Sequence, residues 1–128
     1  MRCLLDTHAL LWWWLDDARM PAPVRKVLSD QANNVAVPSV CGWEIANKVR
    51  TGKLPQMSAY VPRYDELVSA AGFRHLDLRF EHAIRAGLLR GEHRDPFDLL
   101  IAAQAMTEDM TVVTRDPQFA AFGCRTLW

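Results

Sequence analysis

Apolar and polar positions along the chain fall into blocks, in which short hydrophobic runs are followed by longer stretches with helical spacing. The opening RCLLD reads as a short buried strand and THALLWWWLDD as the helix after it, so Asp6 stands at the strand's carboxyl end. NNVAVP is a second strand signal, and it leads into a helix from about Ser39 to Thr51 that Gly52 is placed to stop. An amphipathic stretch around Val61 to Ala71 precedes a third strand in GFRHLDL, and RDPFDLLIAAQAM reads as a further helix. DMTVVTRDP is a fourth strand, apolar and β-branched before it ends at Asp116, and a short strand near CRTLW follows. MPAPV near Met20 and KLPQM near Pro55 are short enough to be turns. Strands alternating with helices in this way predict the α/β class: a mostly parallel central sheet, helices on both faces and right-handed crossovers.

Composition narrows the picture. At 128 residues, half of them hydrophobic, the chain suffices for one core and has no room for two, so residues 1–128 are expected to form a single domain. Basic and acidic residues balance to a formal net charge of zero, so any contact with nucleic acid must come from a local patch. The three cysteines, Cys3, Cys41 and Cys124, form no C-x-x-C pair, and the amino-terminal segment has no cleavable signal pattern. Both fit a reduced, cytoplasmic setting. The apolar run from Ala9 to Leu15 is far below the roughly 20 residues that span a bilayer, so no membrane insertion is expected.

The chemistry rests on carboxylates, each of which also has an ordinary explanation. Ligands of open parallel sheets bind outside the carboxyl ends of the strands, where Asp6 and Asp116 are expected to project. Each could equally cap the helix or turn that follows it. On the helix after the second strand, Gly42, Ile45, Ala46 and Val49 share a face expected to be core. Glu44, Asn47, Lys48 and Thr51 lie opposite, either as a solvated stripe with a weak Glu44–Lys48 pair or as a face laid over the strand ends. In RDPFDLLIAAQAM, Asp95 suits a helix N-cap, and Asp98 heads an apolar stripe of Ile101, Ala102 and Ala105. A carboxylate against a buried face is costly unless it is protonated, hydrogen-bonded or paired with a cation. Four acids around one small sheet would repel one another without such a cation, and hard oxygen donors suit Mg2+ or Mn2+. His8, His75, His82 and His93 have no metal-ligand spacing and read as surface or core histidines.

The blocks LLDTHALLWW, SVCGWEIANKVRTGKL, HRDPFDLLIAAQA and TVVTRDPQFAAFG, in this order, resemble the motif blocks of PIN-domain ribonucleases, and most closely those of the VapC toxin branch. The resemblance implies an α/β/α sandwich with acids gathered at one edge of its sheet. Carried over by position, the catalytic and metal-holding acids are Asp6, Glu44, Asp98 and Asp116, with Thr7 and Thr114 as hydrogen-bonding support. Asp95 matches the DPFD form of this branch, with helix capping as its first role and support of the site as its second. Gly42 departs from the serine that relatives often carry before the WEI element. The implied activity is Mg2+-dependent cleavage of single-stranded or looped RNA by a metal-activated water, with no nucleophilic side chain. Ser39 and Cys41 have no base-plus-orienter pattern that would make either a nucleophile. Lys48, Arg50 and Arg115 are candidates to hold RNA phosphates. The implied partners are a VapB-type antitoxin and a second copy of the toxin.

Three consecutive tryptophans, Trp12 to Trp14, cannot all enter one core face of a helix, so at least one is expected near the surface, where it could anchor a partner. A phosphoacceptor α/β domain is disfavoured, because no second acid stands beside Asp6 and no P-loop is present. A non-catalytic PIN-like interaction module is the remaining alternative, and it would have lost the acids that this chain retains.

Overall fold

The computed structural model describes residues 1–90 and 95–128. Its centre is a five-stranded sheet of β1 (Arg2–Leu5), β2 (Asn34–Pro38), β3 (Arg74–Leu76), β4 (Thr111–Val113) and β5 (Thr126–Leu127). The strands lie in the order β3-β2-β1-β4-β5 and every pairing is parallel. In the middle of the sheet Leu4 is flanked by Ala36 and Val112. The chain moves outward from β1 to β3 and then returns past β1 to lay down β4. The strand order therefore reverses between β1 and β4, the kind of crevice where α/β sheets hold their ligands.

Successive residues of the inner strands are buried, as in Cys3-Leu4-Leu5, Val35-Ala36-Val37 and Val112-Val113. Both faces of the sheet are thus covered, as a parallel sheet requires. Between β1 and β3 run α1 (Thr7–Trp14), α2 (Ala22–Ser29), α3 (Ser39–Arg50) and α4 (Tyr64–Ala70). Between β3 and β4 run α5 (Phe80–Leu88) and α6 (Pro96–Thr107), and the short α7 (Gln118–Ala121) leads to β5. The right-handed rule for crossovers between parallel strands assigns the first group to one face and the second to the other, the three-layer arrangement expected from the sequence.

The predicted strands and the helices beginning at Thr7, Ser39 and Pro96 are all present, and the amphipathic stretch after Val61 becomes a 3-10 turn followed by α4. Two regions differ from expectation. MPAPV is no simple turn, because α2 starts inside it with Pro21 at the cap and a proline in the first turn, where a missing N–H costs nothing. The sequence pattern did not single out α5. Its large apolar residues Phe80, Ile84 and Leu88 point to solvent, while the smaller Ala86 and the polar His82 are buried. His82 is held inside by a 3.0 Å bond from the Arg79 N–H to Nδ1 and by Nε2 at 2.8 Å from Glu108.

The tryptophans divide among separate surroundings, as their spacing required. Trp12 is buried, and Trp13 and Trp14 are half-buried against Phe73 and against Tyr60 and Tyr64. Separate clusters on different sides of α1 take one ring each, so none of the three is left as an open anchor. The tryptophan that does face solvent is Trp43, 56% exposed and stacked on Phe97.

Candidate active site

Asp6 follows β1 directly, and Thr114 follows β4 directly, so the parallel pairing of these strands places the two side by side. The Asp6 N–H donates to the Val113 carbonyl at 3.2 Å, which extends the pairing by one residue. Asp6 is 5% exposed. Its Oδ1 accepts from the Ala9 N–H at 2.8 Å, capping α1, and its Oδ2 accepts from the Thr114 hydroxyl at 2.5 Å. The capping role and the place in the acidic cluster are therefore compatible in one side chain. Burial pushes the Asp6 carboxyl above the ordinary aspartate range, and Asp116 adds to the push. The bonds from Thr114 and Ala9 and the nearby His8 oppose it.

Thr114 links the second acid to the first. While its hydroxyl donates to Asp6, the same oxygen accepts from the Asp116 N–H at 3.0 Å. Asp116 in turn accepts from the Gln118 N–H at 2.9 Å and so also closes the turn before α7.

Glu44 comes from α3, and of the two settings its helical pattern allowed it takes the one over the strand ends. The buried face of α3 is centred on Cys41 and Ile45, and Glu44 lies beside it with a side chain only 13% exposed. Its Oε1 accepts from the Thr7 hydroxyl at 2.7 Å and its Oε2 meets the Lys48 ammonium at 2.9 Å. The Thr7 oxygen is also 3.4 Å from Cys41 Sγ. Asp98 stands in the first turn of α6, and Asp95 caps that helix by accepting from the Phe97 N–H at 2.9 Å. The helix beyond them is buried through Ile101, Ala102, Ala103, Gln104 and Ala105, as its apolar sequence required.

Cys41 feels the charge of three of these acids. Its thiol is pushed far above the ordinary value, chiefly by burial and further by the charges of Asp6, Glu44 and Asp98. One buried sulfur thus feels carboxylates from β1, α3 and α6 together. An all-oxygen donor set of this kind fits a hard divalent cation and not zinc. The acids are gathered without being closed, however. Among the described residues, no three His, Cys, Asp or Glu side chains form a metal-holding group as they stand. Glu44 is engaged by Lys48, and both oxygens of Asp6 already accept hydrogen bonds.

The family model of the PIN domain matches residues 3–123. The chain belongs to the PIN-domain family.

Structural comparison places this PIN domain beside chains of toxin–antitoxin assemblies. A chain of VapBC2 from Rickettsia felis, solved bound to a promoter DNA fragment, superposes with a TM-score of 0.76 at 21% identity, covering 99% of this chain and 98% of that one. A toxin–antitoxin complex from Klebsiella pneumoniae gives 0.65 at 17% identity, with coverages of 98% and 96%. FitAcB from Neisseria gonorrhoeae gives 0.60 at 19%, again with 98% and 96%. At these identities the likeness is one of fold. No curated protein matches the chain in sequence.

The structure of the PIN domain also places the other residues that the sequence singled out. Arg50 is turned toward Asn47, on the side of α3 that carries Trp43 and away from Glu44. Gly42 faces Tyr64, where an added Cβ would lie 3.5 Å from the ring, so the serine of relatives would meet that side chain and not the acids. Ser39 donates to the Leu76 carbonyl at 3.3 Å and to Asp77 at 3.4 Å, and burial holds the Cys41 thiol neutral. His75 pairs with Asp65, and His93 lies outside the described residues. His8 does reach the site, where it borders a cleft of about 410 Å³ together with Asp6, Trp12, Arg19, Arg115 and Asp116. Arg19 and Trp12 belong to this cleft without any pattern in the sequence that would place them there. Arg19 lies beyond the end of α1 and only the turn through Asp17 brings it back. Among the described residues, no helix is long and apolar enough to cross a membrane.

Proposed function

We propose that this PIN domain is a Mg2+-dependent endoribonuclease, the VapC-type toxin of a toxin–antitoxin pair. The observation that carries the reading is the linking of acids by two hydroxyls: Thr114 ties Asp116 to Asp6, and Thr7, beside Asp6 in the chain, holds Glu44, with the charge of Asp98 also felt at the neighbouring Cys41. Mg2+ or Mn2+ held by these four acids would supply a water of lowered pKa and would stabilise charge on the scissile phosphate. The chain's own groups do the rest. Thr114 and Thr7 fix the orientation of Asp6 and Glu44, and Lys48 neutralises Glu44 until a cation takes its place. Arg115 offers a guanidinium to phosphate at the rim. Single-stranded RNA is the substrate that suits an open cleft, because its bases and backbone can be reached without opening a duplex.

The toxin–antitoxin neighbours support an antitoxin partner of the VapB type, and the exposed Trp43 replaces the α1 tryptophans as the aromatic candidate for that contact. The outward stripe of Phe80, Ile84 and Leu88 on α5 supports pairing with a second copy of the chain, and a monomeric mass in solution would count against it. A cytoplasmic site of action fits cysteines that are all free.

The function is tested by incubating the purified chain with single-stranded RNA, with Mg2+ and with a chelator. Cleavage is expected only with the metal, and Asp98→Asn is expected to lower it by more than about 100-fold, beyond what loss of an outer partner usually costs. Equal cleavage by Asp98→Asn and the parent chain would refute the proposal. No cleavage under any condition would leave the non-catalytic module.

A further inference from the structure

The end of the sheet opposite the acids has a cavity of its own. Met110 and Cys124 stand just before β4 and β5, at the amino ends of those strands, and α6 finishes beside them at Thr107. There Met106, Met110 and Cys124 line one open cavity of about 230 Å³, with Arg85, Asp109 and Arg125 as its charged members. Two contacts bring sulfurs from separate segments toward one another. The Cys124 thiol donates to the Ala102 carbonyl at 3.7 Å, one turn before Met106 on α6. The Met106 sulfur lies 3.9 Å from the place where a Cβ on Gly123, the neighbour of Cys124, would stand. The charged members are already engaged, Arg125 with Asp109 at 2.8 Å and Arg85 with the Thr107 hydroxyl at 3.4 Å. What the cavity has to offer a ligand is therefore sulfur.

Methionine and cysteine are also the ordinary filling of a core gap, because both pack softly. Here they border open space instead. Of the three cysteines, Cys3 and Cys41 are 0% exposed and Cys124 is 9% exposed, so Cys124 is the thiol that a small ion can reach. The cavity also lies at the carboxyl end of α6, where the last carbonyls carry partial negative charge. Thioether and thiolate donors select soft cations such as Cu+ over Mg2+ or Ca2+. Burial lifts the Cys124 thiol to a pKa of about 11, against the pull of Arg85, so the sulfur is protonated at neutral pH. A cation must bind thiolate strongly to displace that proton, which a hard ion does not do.

We propose that Met106, Met110 and Cys124 form a binding site for one soft monovalent cation, Cu+ or its analogue Ag+, at the end of the sheet remote from the acids. On binding, the S–H bond of Cys124 breaks, its proton passes to solvent and the sulfur lone pair takes the cation, with no electron transferred. The ion ties the last turn of α6 to the segment before β5. The site uses none of the four acids, and the inference goes beyond the nuclease reading without depending on it.

The test transfers Cu+ to the full chain from its coloured bathocuproine complex, without oxygen, and reads the loss of colour. The parent chain is expected to take up one ion, with an affinity that rises about tenfold per pH unit below the thiol pKa, because one proton leaves for each ion bound. Cys124→Ser should lose the transfer. Met106→Leu combined with Met110→Leu keeps volume and apolar character. It should weaken transfer by more than about tenfold, the least that even an outer partner of a metal usually contributes. Ag+ should raise the Tm of the parent chain and not that of Cys124→Ser. No transfer to the parent chain overturns the site. Equal transfer to the leucine pair also overturns it, since Cys124 would then bind as a lone thiol, and equal transfer to Cys124→Ser would put the ion elsewhere. Should Cys124→Ser fail to fold, as its thermal transition would reveal, the leucine pair decides alone.

Discussion

The acidic cluster has two halves, and they are held in opposite ways. Asp6 and Asp116 come from the ends of adjacent parallel strands and are locked by a relay through the Thr114 hydroxyl. Glu44 and Asp98 come from the helices α3 and α6, and Glu44 carries its own counter-charge in Lys48. In the strand half a carboxylate is buried with hydrogen bonds only, so its ionised form is kept at a cost to the fold. In the helix half the charge of Glu44 is balanced within the chain, so a cation arriving there must displace a lysine. Pre-organisation and exchangeability are thus divided between two kinds of scaffold.

The largest expected effects separate the halves by stability as well as activity. Because burial raises the folded-state pKa of Asp6, the metal-free fold is more stable on the acid side of that raised value and loses stability as the pH rises through it. At neutral pH the ionised Asp6 therefore opposes folding. Asp6→Asn should abolish RNA cleavage by more than about 100-fold and yet raise the metal-free Tm by at least about 2 °C, the shift given by roughly 1 kcal/mol in a domain of this size. Glu44→Gln should also lose cleavage, but it removes one member of an ion pair and should not raise Tm. Calorimetry at neutral pH without metal checks both, and a gain for Glu44→Gln equal to that for Asp6→Asn would erase the distinction.

A smaller effect probes the relay itself. Thr114→Val removes the donor to Asp6 and the acceptor for the Asp116 N–H, and should lower activity or metal affinity about 10–100-fold. Titration with Mn2+ against cleavage rate reads the two together. Less than a twofold change would mean that Asp6 is set by α1 alone.

The smallest effect is on the helix half. Lys48→Gln should tighten divalent-metal binding by a few fold at low salt, since an ion pair this close to the surface is worth up to about 1 kcal/mol. Isothermal titration with Mn2+ would show it, and weaker metal binding would make Lys48 a supporting group and not a competitor.

The contrast between halves also marks what the sequence made legible. Asp6 and Asp116 could be placed because each closes an apolar run, and a strand's end is a position that a run of buried residues defines. Glu44 was harder, because helical spacing gives a face only when the core residues are known. Cys41 reads as neither apolar nor polar, and taking it as core turns Glu44 from the solvent toward the sheet. The helix α5 escaped notice for a related reason: its pattern is inverted, with Phe80, Ile84 and Leu88 outward, a signature of contacts the chain does not make with itself. The cleft over Trp12 was illegible because it unites residues from α1, from the turn after it and from the loop after β4, which no local pattern relates.

The bond between Thr114 and Asp6 spans 108 positions of the chain. A chain made from its amino end therefore carries Asp6, Thr7 and Glu44 well before β4, the strand that completes their setting. The setting of these acids belongs to the folded domain and to no fragment that lacks β4. On the proposed reading, a partly made copy would hold the acids and not the site.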